Sequence, residues 1–212
     1  MSVEIWSDVV CPWCYIGKRR FETAVELLKD DADIEVVFRP YQLDPTASPG
    51  KSAPVKEAYA RKFGGPERAE QIIGHVSAVA AEEGLDFHME KALRANTLLA
   101  HRLLWLAEAT GHQYALKERL LKAYFVDGLD VGDPEVLADC AAEVGMPRDG
   151  ALAFLHSDDG VDEVQAQLAF AAEAEITAVP TFVIDGRWAV PGAQDPDTFV
   201  TVVRRLLAKR EG

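Results

Sequence analysis

The sequence predicts an α/β fold in which a βαβ unit and a closing αββα unit are separated by a long helical insert. Three observations carry this. Short apolar or alternating runs stand near both ends, helical periodicity fills the middle, and Pro and Gly sit where elements should start and stop. A length of 212 residues suits one large domain or a core domain with an inserted subdomain.

Residues Val3 to Ser7 read as a strand, with Val3 and Ile5 on one face and Glu4 and Trp6 on the other. A helix follows from Pro12 to about Lys29, with Ile16, Phe21, Val25 and Leu28 inward. Ile34 to Arg39 is a second strand, completing the βαβ start. Pro40 to Pro54 is rich in Pro, Gly and Ser and reads as a long loop. From Val55 to Leu155 the signal is helical. Leu99, Leu103 and Leu106 share one helix face, and Leu116, Leu120 and Tyr124 share another. Asp133-Pro134 starts a helix carrying Leu137 and Cys140, and Gly145 ends it.

Ser157 is expected to cap a helix running to about Ala174. Thr181 to Ile184 and Trp188 to Val190 form a hairpin around Asp185-Gly186. Asp195-Pro196 caps a last helix that turns Phe199, Val203 and Leu206 inward. Without its insert this is the thioredoxin order. The expected organisation is a thioredoxin-fold domain from residues 1–45 and 156–212, with an inserted all-helical subdomain at 46–155.

Composition narrows the function. The net charge is −13 and the sequence pI about 4.8. Such a surface repels phosphate backbones and anionic membranes, so neither nucleic acid nor membrane is expected as a partner. No apolar run is long enough for a membrane span. The N-terminus lacks the basic and apolar segments of a secretory signal, and Met1 has the look of an initiator, so the expected compartment is the cytoplasm. Three cysteines are too few for a disulfide scaffold.

The chemistry concentrates in Cys11-Pro12-Trp13-Cys14, where a strand leads into a helix. With Cys11 at the N-cap, Pro12 falls at the first helical position, where its missing N–H costs nothing. The N–H groups of Trp13 and Cys14 are then expected to point at the Cys11 sulfur, and the helix dipole adds to them. Both favour a thiolate, which makes Cys11 the expected nucleophile. Cys14, one turn on, can close a disulfide with it and resolve a mixed disulfide. Val179-Pro180 enters a strand, an unusual place for proline; a cis bond there would lie beside the cysteine pair and offer backbone to an extended substrate. Pro12, Trp13, Val179 and Pro180 are thus candidate substrate contacts. A zinc site would need two further ligands, and neither a second Cys pair nor metal-type His spacing supplies them. Cys140, on the apolar face of its helix, reads as core.

Ser7-Asp8-Val9-Val10-Cys11-Pro12-Trp13-Cys14-Tyr15-Ile16-Gly17 closely resembles the active-site segment of the FrnE-like proteins of the DsbA family, the polyketide-biosynthesis dithiol–disulfide isomerase type. Asn96 to Leu103, Ala123-Tyr124-Phe125 with Gly128 and Asp130, and Gly192-Ala193-Gln194 resemble the same family in order. Ile176 to Phe182 also fits, although Ala178 stands where relatives often have Gly.

The resemblance implies a DsbA-like architecture and a protein disulfide oxidoreductase or isomerase acting on thiol- or disulfide-containing proteins or small molecules. It implies no resident cofactor, with glutathione as the candidate redox partner. A sister branch, the 2-hydroxychromene-2-carboxylate isomerases and kappa-class glutathione transferases, offers the alternative of a glutathione-dependent isomerase or transferase. That branch typically carries serine where Cys11 stands. Asn96 and His101 have two readings: they line a glutathione or peptide groove, or Asn96 caps the helix beginning at Thr97 and His101 simply packs. Nothing in the sequence specifies an oligomeric state.

Overall fold

The structure is a computed structural model and describes residues 1–211. Its larger sheet has the order β2-β1-β5-β6, from β1 (Ser2–Ser7), β2 (Glu35–Pro40), β5 (Thr181–Ile184) and β6 (Trp188–Pro191). β1 runs parallel to β2, pairing Ser2 with Glu35 through Ser7 with Pro40. It runs antiparallel to β5, pairing Val3 with Ile184 and Trp6 with Thr181. Asp185 and Gly186, at φ 49° and 64°, make the tight turn into β6.

Helix α1 (Pro12–Leu27) crosses from β1 to β2 on one face of the sheet, and α9 (Pro196–Glu211) packs beside it. Val3 and Ile5 point to that side, where Phe21, Phe182 and Phe199 meet with ring centroids 4.6–5.1 Å apart. The other face is covered as well. Trp6 stacks on Phe170 of α8 (Val161–Glu173) at 5.8 Å, so it is buried although the alternation put it opposite the core.

Between β2 and β5 the chain forms α2 (Val55–Phe63), α3 (Pro66–Glu82), α4 (Leu98–Ala109), α5 (Gln113–Lys122), α6 (Pro134–Glu143) and α7 (Arg148–His156). A second apolar cluster fills this region and reaches back to Val9, Tyr15 and Ile16 at the start of α1. Asp133 caps α6 as its sequence implies, its side chain accepting the Glu135 N–H at 2.8 Å. Among the described residues no helix is long and apolar enough to cross a membrane.

Several local expectations give way to long-range contacts. The helical stretch after the Pro/Gly loop is interrupted by a two-residue ladder, β3 (Ala53–Pro54) with β4 (Leu93–Arg94). After α5 the chain widens into a π-helical turn, Ala123–Asp127, closed by Gly128 at φ 70°. Ser157 does not cap α8. Its hydroxyl donates to the Phe154 carbonyl and accepts the Asp159 N–H, closing α7, while α8 begins only after Gly160. Arg102 of α4 holds this junction: its buried guanidinium donates to the carbonyls of Phe154 in the last turn of α7 and of Ser157 and Asp159 beyond it, at 2.7–3.1 Å.

Candidate active site

β1 ends at Ser7, and the next residue, Asp8, is fully buried. A buried carboxylate must be satisfied, and this one accepts the N–H groups of Val9 and Leu43, both at 2.8 Å, and faces His101 Nε2 at 3.1 Å. Asp8 therefore ties the turn after β1 to the loop after β2 and to α4. Cys11 then takes the N-cap of α1 at φ −90° and ψ 114°, with Pro12 at the first helical position.

The detail at the cap differs from the sequence-based expectation. The Cys11 sulfur makes no capping bond. The Cys14 N–H is taken by the Cys11 carbonyl at 3.1 Å, and the tight first turn spends the donor expected for the sulfur. The Cys11 thiol instead lies 3.7 Å from the Val179 carbonyl oxygen, which it faces as donor. The positive end of α1 still lies beside it.

The two cysteines have different surroundings although each residue is only 3 % exposed. Cys11 borders a cleft; Cys14 lies behind it, against the protein. Burial, reinforced by the neighbouring Cys11, pushes the Cys14 thiol well above the ordinary cysteine range. Neither is bonded to the other here; both are free thiols, as is Cys140. Burial also pushes the Cys140 thiol up to about 11, in keeping with a core position.

The Val179–Pro180 bond is cis, and Pro180 is buried against α1. Gly17 makes this approach possible: a Cβ at that position would lie 2.9 Å from Pro180 Cγ and 3.3 Å from Ala193 Cα. The loop is held by the Gly192 N–H on the Pro180 carbonyl at 2.7 Å and the Thr181 hydroxyl on the Ala178 carbonyl at 2.8 Å.

The cleft has a volume of about 580 Å³ and lies between the cysteine turn and the helical insert. Val10, Tyr59, Ile72 and Val76 give it apolar walls, and Pro12, Trp13 and Val179 line it beside Cys11. Trp13 is 37 % exposed, with its ring 6.2 Å from that of His75. Burial, and secondarily the charge of Cys11, pushes the Tyr59 phenol up to about 12.

Asn96 and His101 do not line the cleft beside Cys11, and their side chains are taken up by contacts within the protein, as the second of their two readings expects. His101 is buried, and its Nε2 lies between Asp8 Oδ1 and the Tyr41 carbonyl at 3.1 and 3.0 Å. Both are acceptors, so Nε2 carries a proton toward them and is not offered to a ligand. Asn96 donates to the Ala47 carbonyl at 2.8 Å and accepts the Leu98 N–H at 3.0 Å. It thus serves the start of α4 from one residue farther out than expected, since Thr97 holds the N-cap. Apart from Leu98, their partners are far away in sequence, so the segment itself does not reveal them.

Several buried charged groups, Asp8, Lys18, Arg102 and Lys117, do not stand out as such in the sequence. Lys117 of α5 is 1 % exposed, and its ammonium lies 5.5 Å from the centre of the Phe38 ring. A signal was present: Gln113, Leu116, Leu120 and Leu121 recur at helical spacing on the buried side of α5, and Lys117 falls within that stripe. Among the described residues no group of three or more His, Cys, Asp or Glu side chains converges on a metal position.

The model of the DSBA-like thioredoxin domain matches residues 2–204. An uncharacterized protein of Bacillus subtilis, YwbO, is 30% identical over 94% of both chains. A crystal structure of a probable DsbA oxidoreductase from Streptomyces coelicolor superposes with a TM-score of 0.90 at 36% identity, over 97% of this chain and 89% of that one. The cytosolic disulfide reductase DsbM of Pseudomonas aeruginosa, in its structure with GSH, shares the fold at a TM-score of 0.69 and 18% identity, over 98% of this chain and 100% of that one.

Proposed function

Since this chain belongs to the DSBA-like thioredoxin-domain family, we propose that it is a thiol–disulfide oxidoreductase in which Cys11 attacks and Cys14 resolves. One observation carries the reading most directly. The Cys11 sulfur faces the cleft beside the Val179 backbone, while Cys14 waits one turn behind on the same helix, closed off by the protein.

In this reading an extended thiol or disulfide substrate lies along Val179 with its flanking groups in the apolar cleft. The Cys11 thiolate attacks the substrate disulfide, forms a mixed disulfide and expels one thiolate. Cys14 then loses its proton and attacks the Cys11 sulfur. The Cys11–Cys14 disulfide forms, and the second substrate thiolate leaves. The enzyme dithiol is oxidised and the substrate disulfide reduced; the reverse sequence oxidises a dithiol. A reducing compartment such as the cytoplasm would favour reductase or isomerase turnover. A small thiol of the glutathione kind would then regenerate the dithiol.

The test is insulin reduction with dithiothreitol, run beside mass spectrometry of trapped adducts. Cys14→Ser should accumulate a mixed disulfide at Cys11, and Cys11→Ser should reduce insulin no faster than background. Full glutathione-dependent isomerisation by Cys11→Ser, with no insulin reduction by the unaltered protein, would overturn the proposal in favour of the isomerase branch.

A further inference from the structure

The cleft beside Cys11 carries charge of the opposite sign to the rest of the molecule. Acidic residues outnumber basic ones by 35 to 22 in the chain. Among the described residues lining the cleft the balance reverses: Arg61, Lys62 and Arg94 are basic, and Asp44 alone is acidic. A cleft with low-dielectric walls focuses the field of its charges, so this local excess acts where the surrounding surface would repel an anion. Helix α2 gives the excess a pattern. Val55, Ala58, Tyr59 and Lys62 recur at i, i+3, i+4 and i+7 and all line the cleft, so one face of the helix is turned to it. That face is apolar until it ends on an ammonium. Ile72 and Val76, one turn apart on α3, add a second apolar wall.

Arg61 and Lys62 stand in the last turn of α2, where the helix dipole favours cations in any case. Arg61 also has Glu57 at 3.9 Å, whereas Lys62, among the described residues, has no carboxylate partner and lies 5.7 Å from the centre of the Phe63 ring. Arg94 has no helix end to explain it, and its setting is built. Its Nε donates to Asp44 Oδ2 at 2.7 Å, and Asp44 also accepts from the Thr46 hydroxyl at 2.7 Å and the Thr46 N–H at 3.2 Å. The Arg94 bond, helped by Thr46, holds the Asp44 carboxyl below its ordinary range. The guanidinium is thereby fixed through Nε, while among the described residues neither of its amino groups has an acceptor. Held in this way, those two groups can take a carboxylate. Arg94 pairs with Ala53 in the β3–β4 ladder, just ahead of Val55, and Lys62 closes the helix face about 10 Å farther along its axis. The two cations thus stand toward opposite ends of the apolar face.

Resting on the exchange reading above, we propose that the cleft selects small disulfides with an apolar body and a carboxylate end, and that Arg94 and Lys62 are the residues that recognise the acidic group. A volume of about 580 Å³ suits such a molecule. Its body lies against the apolar faces of α2 and α3 while its sulfur meets Cys11. The exchange itself is unchanged: the Cys11 thiolate attacks one sulfur, the other half leaves as a thiolate, and Cys14 then releases the first half as the enzyme disulfide forms. A polar acidic disulfide such as oxidised glutathione satisfies the cations but leaves the apolar faces unfilled. A neutral aromatic disulfide fills the faces and leaves the cations unanswered. Only the combination uses both features of the cleft.

The test is the rate at which the reduced protein opens three small disulfides: a bis(nitrobenzoate), aromatic and doubly acidic; a dipyridyl, aromatic and neutral; and oxidised glutathione, acidic and polar. Each rate is divided by that of the same disulfide with free dithiothreitol, which removes its intrinsic reactivity. So corrected, the bis(nitrobenzoate) should react about 10-fold or more faster than either of the others, within the range by which a charged cleft raises association rates. Added salt should narrow its lead over the dipyridyl. Arg94→Gln and Lys62→Glu should each lower the ratio of the bis(nitrobenzoate) rate to the dipyridyl rate by about 3–10-fold, and Arg94→Lys, which keeps the charge, by less. Lys62 is exposed, so its replacement leaves the core untouched. Equal corrected rates for the bis(nitrobenzoate) and the dipyridyl, a ratio that neither salt nor either variant moves, or oxidised glutathione matching the bis(nitrobenzoate) would each overturn the proposal. Failure of the reduced protein to open any of the three would instead overturn the exchange reading itself.

Discussion

The two apolar clusters of this molecule meet in α1 and divide its residues between them. Toward its C-terminal half, Phe21, Ala24 and Leu28 join the sheet, α9 and the aromatic trio, a region built of apolar side chains. Toward its N-terminus, Tyr15 and Ile16 join the helical insert. Buried polar groups gather on that second side: Asp8, His101, Arg102 and Lys117 are all less than 4 % exposed. Burying such groups costs free energy unless each is satisfied, so a fold that only needed stability would avoid them. The sheet-side cluster fixes where the strand–turn–helix stands, and the insert-side cluster determines what surrounds the cysteine pair on it.

The largest test of that division is Phe199→Ala. Phe199 is fully buried and touches both other rings of the trio. Its truncation should cost about 3–5 kcal/mol. Because α1 belongs to both clusters, thermal unfolding should remain a single transition shifted to lower temperature. Two resolved transitions, only one of them moved, would show that the clusters fold separately and that α1 does not couple them.

Gly17→Ala probes the seam, and two effects oppose each other there. Alanine gains about 0.5–1 kcal/mol over glycine in a helix interior. The new methyl would, however, stand 2.9 Å from the Pro180 ring and 3.3 Å from the Ala193 backbone. Overpacking of that kind costs about 1–3 kcal/mol, so the clash should win by about 1 kcal/mol. The relief available is displacement of the Val179–Pro180 loop, which would move the Val179 carbonyl away from Cys11. A lowered melting temperature together with slower thiol exchange is expected. A protein that is more stable and equally active would show that the loop yields without consequence.

The contrast between the two sides also explains what is legible in the sequence. The strand entering Cys11, the helix led by Pro12, the Asp133 cap and the Asp185-Gly186 hairpin are all specified by residues within a few positions of one another. The exceptions depend on distant partners. Ser157 carries a good capping signal, but Arg102 holds the following carbonyls across 57 positions at Asp159. His101 looks free on its helix, yet its partner Asp8 lies 93 positions away. Asn96 is drawn to the Ala47 carbonyl, 49 positions back. The Cys11 cap misleads for a local reason: the first turn gives the Cys14 N–H to the Cys11 carbonyl and not to its sulfur. A lone lysine inside an apolar stripe, as at Lys117, is readable as an anomaly, but its burial against the Phe38 ring of β2 appears only in the fold.

The smallest effect, and the most specific to the seam, concerns Glu118. Its carboxylate accepts from the Tyr15 hydroxyl at 2.7 Å, Lys18 Nζ at 2.6 Å and Arg19 at 2.9 Å, joining α5 of the insert to the active-site helix. Burial alone would raise its pKa, but the Lys18, Tyr15 and Arg19 interactions outweigh it and hold the group below the ordinary glutamate range. A carboxyl whose folded pKa is depressed contributes stability above its unfolded value, about 4.3, and loses it as pH falls through the folded one. Glu118→Gln keeps the shape and removes the charge. At neutral pH it should cost about 1 kcal/mol, since the carboxylate is partly exposed and solvent screens its pairs. As pH falls below the unfolded value the difference should shrink, because the unaltered side chain is then losing the same charge. Thermal unfolding from neutral pH into the acid range measures this, with hydrogen exchange reporting where protection is lost first. Loss confined to the α1–α5 contact would mark the seam as the point of acid loosening; loss beginning in β5 and α9 would place it in the sheet-side cluster and break the division drawn between the two.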